Sequence, residues 1–234
     1  MNKIVLIFCL GFVFFLFGCN EVSDEWKQAA VVAASIHGAV APNIVFDAKV
    51  GEDGQRSNMV RINLGRIESV DDEYPADAIT STAAMALIQN VKLETRQKFN
   101  EVQVLFDRGQ GLEEKTYSIK FIEEAITLMP VITDFLEAPA AQGAEERRRC
   151  VDLTTVTDSV LSLFTNALIE VENKQGPTLM HQIGGFRFDK IKASGEQLLV
   201  VWATSIKKNT QIPYTFYVSK KTGKIISIST VAFK

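Results

Sequence analysis

The chain is poor in the side chains that usually build metal centres and nucleophilic sites. Its 234 residues include three cysteines and only two histidines, His37 and His181. A zinc site of the usual His/Cys kind takes three or four ligands, which this inventory does not readily supply. No Gly-rich phosphate-binding motif occurs in the sequence. We therefore predict no metal, no other cofactor and no catalytic residue.

The scarcity of cysteine also restricts covalent cross-links. Cys9 and Cys19 belong to the apolar N-terminal segment, so Cys150 is the single thiol in the remainder. No disulfide is expected within that remainder, and a lone thiol is usually a small buried hydrophobe. We interpret Cys150 in this way, with a nucleophilic pair between Cys150 and His181 as the alternative.

An excess of positive charge is also missing. The chain has 25 Lys and Arg against 28 Asp and Glu, a net charge of −3. A nucleic-acid-binding surface needs a basic patch or stripe, so we expect no nucleic-acid partner. The three consecutive arginines at 147–149 follow Glu145 and Glu146, and a solvated linker explains them better than a phosphate contact.

The N-terminus carries the most specific pattern in the sequence. Lys3 precedes an apolar run over residues 4–17, and Leu16-Phe17-Gly18-Cys19 closes that run. A lone positive charge before a short apolar core is typical of an export signal, and the run is short for a membrane span. Its ending resembles the lipobox of bacterial lipoproteins.

That resemblance implies a signal peptide over residues 1–18 and a lipid-modified cysteine at position 19. Leu16, Gly18 and Cys19 occupy the three strictest positions of the family pattern, and acylation of Cys19, including by palmitate, would anchor the protein to a membrane. Position 20 is Asn and not the Asp of the family's inner-membrane retention rule. The resemblance therefore implies the bacterial cell envelope, and the outer membrane rather than the inner one.

Beyond the anchor, the patterning predicts an α+β fold of two small domains, each with an antiparallel sheet packed against a helix. A tether and helix are expected over 19–42, with the helix at 26–37. An α+β domain follows over 43–136 with the order ββαββα, and Asp53-Gly54 predicts a hairpin between its first two strands. Residues 137–149 contain no apolar side chain larger than alanine or proline, which predicts an exposed linker.

The second domain is predicted over 150–234 as one long helix and a four-stranded antiparallel meander. The helix is expected over 151–174, and the strands over 185–191, 197–206, 212–219 and 224–231. This plan is architecturally similar to the cystatin-like and NTF2-like rolls. We expect the helix to pack on the sheet face that carries Trp202 through an apolar stripe. The residues of this stripe are Leu153, Val156, Val160, Phe164 and Leu168.

Three functions remain open at this stage. The first is a lipid-anchored envelope protein that acts as a non-catalytic binding or scaffolding module, with an envelope protein as a possible partner. The second is an envelope hydrolase with dispersed catalytic residues. Ser205 to Lys208 and Lys221-Thr222-Gly223 match fragments of the serine β-lactamase motifs, but they lie on neighbouring predicted strands and lack the family's helical nucleophile. The third is a periplasmic carrier of a small apolar ligand inside the C-terminal roll.

Overall fold

The computed structural model describes residues 22–39, 41–50, 56–67, 75–109 and 111–230. The predicted signal segment with Cys19 and the predicted Asp53-Gly54 turn lie outside these residues. The described elements, in chain order, are α1 (Asp24–Ser35), β1 (Asn43–Val50), β2 (Arg56–Arg66), α2 (Ala76–Gln89), α3 (Leu93–Arg96), β3 (Glu101–Asp107), β4 (Leu112–Ser118), α4 (Ile119–Leu128), α5 (Pro130–Glu137), α6 (Ala144–Cys150), α7 (Asp158–Gln175), β5 (Met180–Lys190), β6 (Gln197–Ile206), β7 (Gln211–Ser219) and β8 (Ile225–Ser229).

The first sheet, which we call sheet 1, has the strand order β1-β2-β3-β4. Strands β1 and β2 are antiparallel, as the predicted hairpin requires, and so are β3 and β4. Strands β2 and β3 are parallel, which makes the sheet mixed where an antiparallel one is predicted. The physical reason is the crossover through α2 and α3, which returns the chain to the end of the sheet where β2 began.

The second sheet, sheet 2, is an antiparallel meander with the order β5-β6-β7-β8. Its strand β6 is buried over residues 198–203 on both faces, which fits the continuous apolar run that marks a central strand. The α+β class, with two four-stranded sheets packed against helices, is confirmed. Among the described residues, no helix is both long and apolar enough to cross a bilayer.

Helix α2 forms the centre of the molecule. Its residues 78–88 are all buried, and it contacts α1, β3 and β4 of the first half as well as β5 of the second. The backbone N–H of Phe186 in β5 donates a hydrogen bond of 2.7 Å to Oγ of Ser81 in α2. One hydrophobic cluster accordingly contains side chains from both halves, among them Trp26, Val104 and Phe216.

Residues 137–149 differ in local structure from the exposed linker that their composition predicts. They comprise the end of α5, a turn and most of α6, and Ala138, Ala140 and Arg147 are buried there. Alanine is small enough to pack at a helix junction, so a segment without large apolar residues is still partly enclosed. The division of the chain into domains at this segment stays a prediction.

Helix α7 begins seven residues later than predicted. The hydroxyl of Thr157 accepts a hydrogen bond of 3.4 Å from the backbone N–H of Val160 and so caps the helix at its N-terminus. Only Leu161 and Thr165 of α7 are buried, and the predicted stripe residues Leu153 and Val160 are exposed. The buried face of the helix is thus narrower than the apolar pattern suggests.

The helix also packs on the opposite face of sheet 2 from the one predicted. The Phe164 ring lies 5.3 Å from that of Phe135 and 6.0 Å from that of Tyr214, measured between centroids. Tyr214 pairs with Ala203 in the sheet. Because successive side chains of a strand point to opposite faces, Trp202 lies on the far side, and the prediction that the helix covers it was wrong.

Candidate functional site

A cavity of about 200 Å³ opens where helices α5, α6 and α7 meet one end of sheet 2. Strand β5 begins there, β6 ends, and β7 begins. The cavity is lined by polar and charged side chains that include Arg147, His181, Ser205, Lys207, Tyr214 and Glu172. His181, Ser205 and Tyr214 share one face of the sheet, because His181 pairs with Ser205 and Tyr214 pairs with Ala203, two residues before Ser205.

Two cations lie almost fully buried in this cavity. Arg147 is 1% exposed and Lys207 is 5% exposed. The guanidinium of Arg147 donates to the carbonyls of Ala138 and Ala140, while its Nε–H is buried and has no hydrogen-bond partner. Lys207 Nζ donates to the carbonyl of Gly176 at 2.9 Å.

Neither cation is neutralised by a carboxylate in contact with it. Among the ion pairs of the described residues, within 4.0 Å, none involves Arg147 or Lys207. Glu137 and Glu172 line the same cavity, but they are exposed and half-buried respectively. Burial lowers the pKa of Arg147, whereas the carboxylate of Glu172 acts in the opposite direction. A buried charge without a paired opposite charge is costly. The burial of Arg147 and Lys207 therefore lowers the stability of the fold.

A chain of polar contacts runs beside the cations. His181 Nδ1 lies 2.8 Å from Ser205 Oγ, and Tyr214 lines the same cavity. The backbone carbonyl of Leu136 also acts on the imidazole and favours its protonated form. If the other ring nitrogen donates to that carbonyl, Nδ1 accepts from the Ser205 hydroxyl.

The ionisation of this chain follows from its enclosure. Burial is the main cause that lowers the pKa of His181; Lys207 lowers it further, and Glu137 and Glu172 oppose the shift. Burial likewise raises the pKa of Tyr214. Both groups are therefore neutral near pH 7.

A serine hydroxyl within hydrogen-bond reach of a histidine is also the arrangement of a nucleophile and its general base. Ser205, however, is only 2% exposed, and among the described residues no carboxylate forms an ion pair with His181 as in the usual triad. The arrangement can hold a polar ligand through several fixed donors. It lacks the orienting carboxylate that would activate the serine in that manner.

The other candidate groups do not converge on this cavity. Cys150 is buried, as interpreted from the sequence; its thiol donates to the carbonyl of Glu146, and burial raises its pKa. Its contacts do not involve His181, which hydrogen-bonds to Ser205 instead. Glu170 pairs with Lys174 on the exposed side of α7. Within the described ranges, no group of three or more His, Cys, Asp or Glu is placed to hold a metal ion.

An apolar groove lies between the N-terminal half of α7 and β8. It has a volume of about 120 Å³ and is lined in part by Val160, Phe164 and Ile228. Pockets that enclose drug-sized ligands measure about 300–1,000 Å³. The groove is too small to enclose such a ligand.

Sequence reasoning missed the cationic pair altogether. Arg147 belongs to the run interpreted as a solvated linker, and Lys207 follows the last residue of β6. One signal was available in the sequence. Gly143, Arg147 and Cys150 follow one another at spacings of four and three residues, which is the spacing of one helix face. All three are buried in the structure. A helical interpretation of 143–150 would have placed Arg147 on the same side as Cys150.

Comparison with known proteins adds no relative from which a role could be transferred. No protein-family model matches the chain, and no curated protein or solved structure matches it significantly.

Proposed function

We propose that the protein is a lipid-anchored, non-catalytic binding module of the bacterial cell envelope, and that the cavity around Arg147 and Lys207 is its binding site. The observation that carries the binding part is the pair of buried cations. Both line one cavity, and within the described part of the chain the side chains of both hydrogen-bond only to backbone carbonyls. Buried charged groups that weaken the fold are often retained for function.

The anchoring part rests on the sequence around Cys19. Helix α1 begins at Asp24, five residues after that cysteine. Five extended residues span at most about 17 Å. A lipid on Cys19 would therefore hold the folded part close to the membrane surface, where the module would meet ligands or partner proteins of the envelope.

Replacement of the predicted lipidation site tests the anchoring part directly. In bacteria grown with a labelled fatty acid, we expect the wild-type protein to take up label and to fractionate with the outer membrane. The Cys19→Ser variant should remain unlabelled. The matched control is Cys150→Ser, which removes a buried thiol and should leave labelling unchanged. A wild-type protein that is never labelled would refute lipid anchoring.

The second candidate is an envelope hydrolase, and the contact between Ser205 and His181 favours it. A fluorophosphonate reagent distinguishes the two functions because it reacts with activated serine hydroxyls. A non-catalytic module should not be labelled by it. Covalent labelling of the wild type that disappears in Ser205→Ala would establish the hydrolase and overturn the non-catalytic proposal.

A further inference from the structure

We propose that the cavity binds a singly charged oxyanion between Arg147 and Lys207. The oxyanion that fits best is a carboxylate group. This inference rests on the proposed binding function and names the class of its ligand. The volume of about 200 Å³ is below that of pockets for drug-sized ligands. It suits a small carboxylate or the terminal carboxylate of a longer molecule.

The donors that remain available fit an oxyanion. A guanidinium has five N–H donors and an ammonium has three. Arg147 uses two groups on Ala138 and Ala140, and its buried Nε–H is unused. Lys207 makes one hydrogen bond, to Gly176. Hydrogen bonds between ionised partners are about twice as strong as neutral ones, so an oxyanion gains most from the unused donors.

Charge selects against the other ligand classes. A cation would meet two buried positive groups, and a neutral ligand would leave both without an acidic group in direct contact. The carboxylates of Glu172 and Glu146 act on Arg147 electrostatically, but among the described residues neither lies within the 4.0 Å of an ion pair with it. Glu137 and Glu172 also line the cavity, and their negative charges disfavour a ligand with a second negative charge.

The two histidines of the chain provide a reporter and an internal control. His181 lines the cavity, whereas His37 is buried elsewhere, in the first half of the chain. The full chain, without a histidine tag and labelled with ¹⁵N only at histidine, gives one backbone amide signal for each residue. Sodium acetate, acetamide and sodium phosphate are titrated at constant pH and constant ionic strength.

Acetate should shift the His181 signal saturably and leave that of His37 in place. In Lys207→Met the acetate affinity should fall at least about tenfold, which is the effect of losing one charge-assisted hydrogen bond. Lys207→Arg should restore most of it. Lys208→Met removes the exposed neighbouring charge and should bind acetate as the wild type does.

Each alternative result contradicts a specific part of the proposal. If acetamide shifts His181 and acetate does not, the cavity is a binding site but the oxyanion inference fails. If phosphate binds more tightly than acetate, the single-charge selection is overturned. Unchanged acetate affinity in Lys207→Met would exclude Lys207 as a ligand-binding residue. If none of the three probes shifts His181, both the oxyanion and the cavity as the binding site are refuted.

Discussion

Gly185 is the residue at which the backbone of β5 meets the backbone of α2. Its φ of +128° lies in a region that favours glycine, and an added Cβ would lie 2.4 Å from the carbonyl oxygen of Ala78. The pairing of β5 with β6 shifts register between Ile183 and Gly185, as in a β-bulge. This irregularity accompanies the hydrogen bond from the Phe186 N–H to Ser81. One residue therefore fixes how closely sheet 2 approaches the central helix.

We expect Gly185→Ala to lower the free energy of unfolding by about 2–5 kcal/mol, from backbone strain and overpacking against α2. The matched control is Gly195→Ala. Gly195 also has a positive φ of +71°, but an added Cβ would meet no atom within 4 Å. It should cost only the strain, about 1–2 kcal/mol. Urea unfolding of both variants measures the difference, and equal losses would contradict a tight contact at Gly185.

The role of Gly185 could not be predicted from the sequence. The predicted strand begins at residue 185, whereas β5 begins at Met180, so the glycine lies inside the strand rather than at its edge. A bulge is defined by the pairing with a partner strand. The close approach is defined by a helix about a hundred residues earlier in the chain. Neither relation leaves a local pattern.

At the scale of elements, local patterns predicted most strands and several helices. The bounds of β6 match the predicted range 197–206 residue by residue, because composition and flanking turn residues are properties of the strand itself. Helix α6 was missed because charge and small side chains were interpreted as exposure. The buried face of α7 was misjudged because apolar residues surround more of that helix than its neighbours cover.

The orientation of α7 is testable with two leucines of the same helix. Leu161 is 6% exposed and Leu163 is 70% exposed. We expect Leu161→Ala to cost about 2–5 kcal/mol, since it leaves a cavity, and Leu163→Ala to change stability by less than about 0.5 kcal/mol. Both substitutions introduce the same good helix former, so propensity does not separate them. Thermal or urea unfolding gives the comparison, and similar losses would contradict the orientation of α7.

At the scale of the whole molecule, the proposed binding site emerges only from tertiary structure. Arg147 and Lys207 are sixty positions apart, and each stands in a locally charged, unremarkable stretch of sequence. Their burial depends on α5, α6 and α7 meeting one end of sheet 2. The predicted lipidation at Cys19 is the opposite case, because a signal segment is recognised as a linear sequence. That is why the sequence yields a specific hypothesis about location and none about the cationic cavity.

The last prediction concerns cooperativity between the two halves. The chain has two tryptophans, one in each half: Trp26 is 1% exposed and Trp202 is 8% exposed. In the Trp202→Phe variant, the fluorescence of the remaining Trp26 reports on the surroundings of α1. In the Trp26→Phe variant, the fluorescence of Trp202 reports on sheet 2. We expect both reporters to give the same thermal midpoint, because α2 contacts α1, sheet 1 and β5 together.

Coupling of the two halves through α2 leads to a second and stricter prediction. Gly185→Ala, which disturbs the contact between β5 and α2, should lower the midpoints of both tryptophan reporters by similar amounts. Far-UV circular dichroism should follow the same curve. If Trp202 instead reports a lower midpoint while Trp26 is unaffected, the two halves unfold independently. That outcome would support the predicted division into domains at 137–149, and the contacts of α2 with β5 would then be a weak interface between domains rather than part of a single cooperative core.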